Sequence, residues 1–266
     1  MRIKLFHVLL ASPVIPENYK FFFDMDGTLV NTDNIAIQAH QTTLIGMKNR
    51  HGLTYSVPSI AEIHSMIAGM TLLQALASVK NKYPEIKTVQ NEYEKSLGIN
   101  YETLKRNTKM EDYLIAPAVN LLKMLVKQKS SVCIVSNSSR QEIEENIALF
   151  NLDKPIPYVG RQDFSRGKPS SEPYLTAAAL VKATPDQYCV AFEDSENGIR
   201  SAKAAGMFVI GIGIHQEAHK LIRWGADATL SDASEFNIDH LSCLLEHKLE
   251  HKLKHKTESV SIRAKI

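Results

Sequence analysis

The stretch at residues 21–32, FFFDMDGTLVNT, constrains this chain more than any other part of the sequence. Three consecutive phenylalanines followed by Met25 predict a short strand buried on both faces, because a brief aromatic run suits the interior of a sheet. Asp24 and Asp26 come where that strand ends, and Gly27 then lets the backbone turn. Ligands of open α/β sheets bind at the carboxyl ends of strands, so both carboxylates are placed for chemistry. Taken alone, the stretch is also compatible with a strand that ends in an Asx turn.

The composition is that of a globular protein. With 266 residues, of which 44% are hydrophobic, the chain can fill the core of one large domain or two modest ones. The formal net charge is +2, and residues 246–266 hold six Lys or Arg against three Asp or Glu, so the rest is nearly neutral. We therefore predict no nucleic-acid partner, since that would need a basic face. We also predict no membrane segment, because no apolar run approaches the roughly 18 residues required.

The cysteines and the N-terminus bear on the compartment. Cys133, Cys189 and Cys243 are odd in number, far apart and mostly within apolar runs. This pattern predicts buried thiols in a reducing compartment, and not a disulfide framework or a zinc site. Residues 1–19 only faintly imitate a signal peptide, because His7 interrupts a short apolar segment and prolines follow. We interpret 1–19 as an appended arm and expect a cytoplasmic protein.

Hydrophobic spacing divides the chain into two kinds of structure. Between Asp33 and Pro117 apolar residues recur at helical spacing, and nothing there predicts a strand. After Pro117 short apolar runs alternate with helical segments, which predicts a doubly wound parallel sheet. The predicted fold is therefore an α/β core at residues 20–33 and 117–245 with an inserted all-helical cap at residues 34–116. The predicted strands lie at residues 21–23, 132–136, 158–159, 188–192, 207–212 and 228–230.

The C-terminal residues 246–266 are interpreted as a basic helical tail. The residues that recur every four positions across its start are Leu241, Leu245, Leu249 and Leu253, and His247, His251 and His255. Histidines four apart on a helix can bind a metal. The segment is rich in lysine, and no acidic residue that would orient a metal-binding histidine is apparent. Both features favour a solvated tail instead. An interaction role for this tail is a compatible hypothesis.

Three further stretches carry polar side chains suited to a site. Ser136 ends the predicted strand VCIVS just before a helix whose free N–H groups form a seat for an anion. Lys168 lies in a loop and can hold an anion as a point charge. Glu193 and Asp194 end the strand YCVAF, and two adjacent acids are costly to bury unless they meet a cation. Each has an ordinary explanation when taken alone, such as a helix cap or a solvated lysine.

Taken together and in order, these stretches resemble a known family. DMDGTLVNT, IVSNS, GKPSSEPY and FEDSENGI resemble motifs one to four of the haloacid dehalogenase (HAD) superfamily. A helical cap between motifs one and two resembles subfamily I, which holds phosphoglycolate-phosphatase-like and β-phosphoglucomutase-like enzymes. Four motifs in register over about residues 20–235 are far more specific than any single one.

The resemblance implies a Mg²⁺-dependent hydrolase of phosphoric monoesters that acts on a small phosphorylated metabolite. Asp24 would attack phosphorus and form an aspartyl-phosphate, while Asp26 would protonate the leaving oxygen and then activate water. Asp24, the backbone carbonyl of Asp26 and the carboxylate of Asp194 would ligate the metal, and Glu193 would orient its waters. The residues implied to bind the phosphoryl oxygens are Ser136, Asn137 and Lys168.

Two alternatives stay open beside the phosphatase. A phosphosugar mutase of the β-phosphoglucomutase type is disfavoured, because family mutases carry a cap histidine and a cap arginine where this chain has Ala36 and Leu72. An inactive protein that binds phosphorylated ligands or partners is disfavoured because all four motifs are intact. The cap residues expected to reach the leaving group are Gly69, Met70 and Thr71, although Gly69 could instead only join two helices. The identity of the substrate and the oligomeric state are left open.

Overall fold

The core of the protein is a six-stranded sheet in which every pair of neighbouring strands is parallel. The computed structural model describes residues 15–67, 70, 72–213 and 216–247. The strands are β1 (Tyr19–Phe23), β2 (Ser131–Val135), β3 (Tyr158–Val159), β4 (Tyr188–Glu193), β5 (Phe208–Ile212) and β6 (Ala228–Leu230). Their spatial order is β3-β2-β1-β4-β5-β6. The predicted doubly wound parallel sheet is confirmed.

Strand β1 lies at the centre of the sheet because its side chains are apolar on both faces. Phe22 pairs in register with Cys133 on β2 and with Ala191 on β4. Phe21 and Phe23 point into one hydrophobic cluster and Phe22 into the cluster on the opposite face, as the two-residue period of a strand requires. The strand order reverses direction between β1 and β4, so a crevice forms at their carboxyl ends.

Helices cover both faces of the sheet and form the insertion. The helices of the insertion, which follow β1 and precede α6, are α1 (Thr32–His51), α2 (Ile60–Ile67), α3 (Leu72–Lys82), α4 (Gln90–Asn107) and α5 (Met110–Tyr113). Those of the core are α6 (Ala116–Lys127), α7 (Arg140–Leu149), α8 (Glu172–Leu180), α9 (Glu196–Ala204) and α10 (Ala218–Trp224). Short 3₁₀ helices lie at Pro84–Val89, Arg161–Asp163 and Ala233–Glu235, and residues 238–247 are also helical.

The inserted helices form a cap with a hydrophobic cluster of its own. Its buried members include Met47, Ile63, Val79 and Tyr93, none of which belongs to the two clusters that cover the sheet. The all-helical cap is therefore confirmed as part of the fold, since a second packed core is what allows an insertion to hold its shape. The domain boundaries at 34 and 116 remain predictions.

The two chain segments that connect core and cap run side by side. The N–H of Asn31 donates to the carbonyl of Tyr113 at 2.8 Å, and the N–H of Ile115 donates to the carbonyl of Leu29 at 2.9 Å. Val30 and Leu114 form an isolated antiparallel bridge between them. Because the first of these segments follows β1 directly, the cap is attached next to the crevice at the end of that strand.

The chain ends differ in part from the sequence-based expectations. Cys133 is buried, Cys189 is half-buried and Cys243 is exposed, so the prediction of buried thiols is wrong for Cys243. Leu241 and Leu245 lie on the buried face of the C-terminal helix, and Cys243, two positions from each, lies on the opposite face. Residues 1–14 of the predicted arm and residues 248–266 of the predicted tail lie outside the described residues. Within the described chain, no helix combines the length and apolarity that crossing a membrane requires.

Candidate active site

Two adjacent strands, β1 and β4, bring the three predicted acids together at one edge of the sheet. Asp24 follows β1, while Glu193 is the last residue of β4 and Asp194 comes next. The backbone N–H of Asp24 donates to the carbonyl of Phe192 at 3.0 Å, which ties the two strand ends. One carboxylate oxygen from each of the three acids lies within 4.8 Å of the others, and all three side chains are buried. This arrangement follows from parallel pairing, because the carboxyl ends of parallel strands share an edge.

Lys168 reaches this acidic group from the loop before α8. Its Nζ donates to Asp24 Oδ1 at 2.5 Å, to Glu193 Oε1 at 2.6 Å and to the carbonyl of Val135 at 2.9 Å. The lysine is only 3% exposed, so it is not a solvated loop residue. Burial by itself would lower the pKa of Lys168, but the charges of Asp24 and Glu193 raise it above its usual value. The residue is therefore a buried cation with all three donors in use.

The two oxygens of Asp24 have different surroundings. Oδ1 accepts the hydrogen bond from Lys168, whereas Oδ2 is buried and has no hydrogen-bond partner among the described residues. Burial and the charge of Glu193 raise the pKa of Asp24 well above its usual value, and Lys168 opposes that rise. An unpaired carboxylate oxygen in the interior is costly, which identifies Oδ2 as an atom that another group must meet.

Asp194 sits against the turn that follows β1. Thr28 Oγ1 donates to Asp194 Oδ1 at 3.1 Å. Burial and the charges of Asp33 and Glu193 raise the pKa of Asp194 well above its usual value. Gly27 adopts φ +88°, and a Cβ built there would lie 2.3 Å from Asp194 Oδ2. Glycine is required at this position both for the backbone conformation and for the approach of the carboxylate.

Asp26 is oriented by three hydroxyl groups. Thr32 Oγ1 donates to Oδ1 at 2.7 Å, and Ser136 Oγ and Ser138 Oγ donate to Oδ2 at 2.7 and 2.8 Å. The predicted phosphate ligand Ser136 therefore lies beside the predicted acid–base residue. Sequence reasoning missed Ser138 and Thr32 as site residues, although both belong to the quoted motif stretches. A hydroxyl next to a motif has no distinctive local signal of its own.

The two remaining motif residues contact Lys168 from different sides. Asn137 Oδ1 accepts a hydrogen bond at 3.0 Å from the backbone N–H of Lys168, so it holds the lysine loop in place. Glu193 is fully buried and accepts from Lys168 Nζ, from Tyr174 OH at 2.6 Å and from Ser195 Oγ at 3.3 Å. The strand acid that was expected to need a cation has found one in Lys168.

A further acid, Asp33, lies in the first turn of α1 and was not singled out as a site residue. Burial and then the charges of Asp26, Asp24 and Glu193 raise the pKa of Asp33 to about 7. The charge of Asp33 in turn contributes to the raised pKa of Asp194. The signal in the sequence was its position in the same stretch as the first two aspartates. Asp33 was interpreted as the last residue of the core segment 20–33, next to the point where helical spacing begins, and was given no role in the site.

Of the three cap residues expected to contact the leaving group, the structure describes one. Gly69 and Thr71 lie outside the described residues, and Met70 is 39% exposed. Leu72, at the position of the family's mutase arginine, is 64% exposed. Tyr101 on α4 packs against both the core and the cap clusters, and burial followed by the charge of Asp26 raises its pKa above the usual value. Tyr101 is therefore a cap residue at the boundary between the cap and the core.

The side chains present fit a divalent cation of the Mg²⁺ type. Asp24, Glu193 and Asp194 place carboxylate oxygens within reach of one ion, and hard cations prefer such oxygen ligands. Asp24 Oδ2 has no protein partner, while Lys168 is the one buried cation beside these acids among the residues the structure describes. The excess of negative charge is what a bound cation would offset.

Known proteins are similar to this chain in sequence and in fold. Residues 21–212 match the family described as haloacid dehalogenase-like hydrolase. The chain is 28% identical over 207 residues to the "Probable pseudouridine-5'-phosphatase" of Drosophila melanogaster, covering 76% of this chain and 84% of that protein. It is 26% identical over 217 residues to the β-phosphoglucomutase of Bacillus subtilis, covering 78% and 90%.

The fold itself recurs in a solved structure. A hydrolase from Pseudomonas syringae superposes with a TM-score of 0.66 over 84% of this chain and 98% of that chain, at 24% sequence identity. The family match extends from β1 through β5 and so includes all four motifs and the cap. It confirms the resemblance that the motifs indicated. The chain belongs to the haloacid dehalogenase-like hydrolase family.

Proposed function

We propose that this protein is a Mg²⁺-dependent phosphatase that hydrolyses a small phosphorylated metabolite, a sugar phosphate or a phospho-acid, through an aspartyl-phosphate on Asp24. The observation that carries the proposal is the asymmetry of the Asp24 carboxyl group. Oδ1 accepts from Lys168 at 2.5 Å, and Oδ2 is buried without a hydrogen-bond partner in the described part of the chain. A carboxylate held at one oxygen and free at the other is suited to nucleophilic attack.

The reaction proceeds in two displacements at phosphorus. In the first, Asp24 Oδ2 forms a bond to phosphorus while the bond to the leaving oxygen breaks, and Asp26 transfers its proton to that oxygen. In the second, Asp26 takes a proton from water, the water oxygen attacks phosphorus, and the bond to Asp24 breaks. Asp26 thus serves as acid and then base, and Thr32, Ser136 and Ser138 hold its carboxyl group in position.

The metal and the phosphoryl group are assigned to the remaining motif residues. Asp24, Asp194 and the backbone carbonyl of Asp26 would hold Mg²⁺, which would neutralise charge on the phosphoryl oxygens. Lys168 would donate to those oxygens, and so would Ser136 once its single hydroxyl proton turns from Asp26 to the phosphoryl group. Asn137 supports this by holding the backbone of Lys168. Glu193 balances the charge of Lys168.

A phosphosugar mutase is the second candidate, and the likeness to the β-phosphoglucomutase of Bacillus subtilis favours it. The cap argues against it, because Ala36 and the exposed Leu72 replace the histidine and arginine that family mutases carry. A sugar hydroxyl would need such groups to compete with water for the aspartyl-phosphate. Water is therefore the acceptor that we assign.

The test is phosphate release from a panel of phosphorylated metabolites with Mg²⁺ present. We expect release that stops on chelation with EDTA and falls by a factor of ~10³ or more in Asp24→Asn, because the nucleophile is lost. The matched control is Asp153→Asn, which changes an exposed aspartate and leaves the rate unchanged. Isomerisation of a sugar phosphate without phosphate release would favour the mutase. Neither reaction with any compound would favour a protein that only binds phosphorylated ligands.

A further inference from the structure

Tyr174 on α8 contacts both members of the buried Lys168–Glu193 pair. It is fully buried, and its hydroxyl donates to Glu193 Oε1 at 2.6 Å. Lys168 Nζ lies 5.1 Å from the centre of its ring, within the range of a cation–π interaction. The two displacements described above give this hydroxyl no role.

One oxygen of Glu193 is shared between two donors. Oε1 accepts from Lys168 Nζ and from Tyr174 OH, each at 2.6 Å, while Oε2 accepts a longer bond from Ser195 at 3.3 Å. Burial and the surrounding carboxylates raise the pKa of Tyr174 well above its usual value, so the phenol keeps its proton. Tyr174 is therefore a permanent donor to the same atom that Lys168 binds.

Glu193 cannot move away if one donor is withdrawn. A Cβ built on Gly198 would lie 1.8 Å from Glu193 Oε2 and 2.0 Å from its Cδ, so the carboxylate already fills the space beside α9. A buried carboxylate that loses a donor without relaxing bears a large desolvation cost. The donors that remain are then held more tightly.

Lys168 must release one of its three protein partners before it can contact a phosphoryl oxygen. The three are Asp24 Oδ1, Glu193 Oε1 and the carbonyl of Val135, and an ammonium group has only three donors. Glu193 Oε1 is the charged acceptor among them that has a second donor already in place. It is the partner that Lys168 can leave at the lowest cost.

We propose that Tyr174 is a positioning residue, whose hydroxyl holds Glu193 Oε1 so that Lys168 can turn one N–H from this oxygen to the phosphoryl group. The inference rests on the proposed function, because it takes Lys168 to be a ligand of the phosphoryl group. In this role Tyr174 acts through its contacts with Glu193 and Lys168.

The first experiment compares Tyr174→Phe with the wild-type protein. The substitution removes the hydroxyl and keeps the ring under Lys168. We expect the dissociation constant of inorganic phosphate, measured by calorimetry with Mg²⁺ present, to rise on the order of tenfold, as for loss of one hydrogen bond to a charged group. KM should rise by a similar factor, and kcat should fall by a smaller factor. Tyr55→Phe is the matched control, since Tyr55 OH donates at 2.6 Å to the carbonyl of Leu44 inside the cap.

A double-mutant cycle separates positioning from packing. In the Glu193→Gln background the charge that retains Lys168 is gone, so adding Tyr174→Phe should not weaken phosphate binding further. If Tyr174→Phe proves unfolded by circular dichroism, Glu193→Gln should restore its folding, and failure to do so overturns the proposal.

Two other results are decisive. The inference is overturned if Tyr174→Phe binds phosphate as tightly as the wild type. It is also overturned if the substitution weakens phosphate binding equally in the wild-type and Glu193→Gln backgrounds. Either result leaves the proposed function intact. A wild-type protein that neither binds phosphate nor releases it from any ester overturns the proposed function itself.

Discussion

At the scale of the residue, Gly198 shows how a site depends on an absent side chain. Glu193 is fully buried, and its carboxylate occupies the space that a Cβ on Gly198 would need. We predict that Gly198→Ala lowers phosphate release by ~10²-fold or more and destabilises the fold, although alanine favours a helix by about 1 kcal/mol. Phosphate release and urea unfolding measure the two effects.

Gly98 in α4 is the control for this substitution. A Cβ built on Gly98 meets nothing within 4 Å, so Gly98→Ala should raise the free energy of unfolding by up to ~1 kcal/mol and leave the rate unchanged. If both alanine variants behave alike, the close approach of Glu193 to Gly198 has no functional weight.

Also at the residue scale, His40 should make stability depend on pH. It is buried in the cap with Nδ1 2.6 Å from Tyr93 OH, and burial lowers its pKa from 6.5 to about 4. Between these values the unfolded chain binds a proton that the folded chain does not, so stability falls as pH falls from 6.5 to 4. The loss attributable to His40 reaches about 3 kcal/mol at most and is absent above pH 6.5.

Urea unfolding at several pH values checks the His40 prediction. His40→Gln should lack this part of the pH dependence while keeping what the carboxylates contribute. Identical pH profiles in the two proteins would show that folding leaves the pKa of His40 unchanged, and would contradict the prediction.

At the scale of the element, the start of α7 is held by a reciprocal cap. Ser139 Oγ accepts from the N–H of Glu142, and Glu142 accepts from the N–H of Ser139 at 2.8 Å. We predict that Ser139→Ala lowers the free energy of unfolding by about 1 kcal/mol, because backbone donors at the helix start lose their partner. Ser171→Ala is the control, since Ser171 begins α8 without a side-chain cap hydrogen bond. An equal loss in both variants would rule out the capping explanation.

At the scale of the whole molecule, the buried acids limit stability until a cation joins them. We predict that Mg²⁺ at 100 times its dissociation constant raises stability by about 2.7 kcal/mol and Tm by about 5 °C or more. Thermal unfolding with Mg²⁺, and with K⁺ at equal ionic strength, measures this. Asp194→Asn should lose the response, and Asp239→Asn, an exposed position, should keep it. A response that survives in Asp194→Asn would place the ion elsewhere.

Much of the fold was determined by the sequence itself, because strands and helices carry local signals. The bounds of β3 and β6 coincide with those predicted from apolar runs. Such patterns depend on neighbours a few positions apart, so they can be predicted without the tertiary structure. The motif acids Asp24 and Asp194 could be predicted as well, since charges directly after a buried strand are rare unless they serve a site.

What only the tertiary structure decided is which groups meet. Lys168 reaches Asp24 across 144 positions because β1 lies between β2 and β4. The hydroxyls of Ser138 and Tyr174 contact Asp26 and Glu193, yet neither had a signal in the sequence that separates it from any other hydroxyl. Periodicity specifies which face of an element is apolar, whereas the partner of a buried polar atom depends on the order of the strands and the packing of the helices above them.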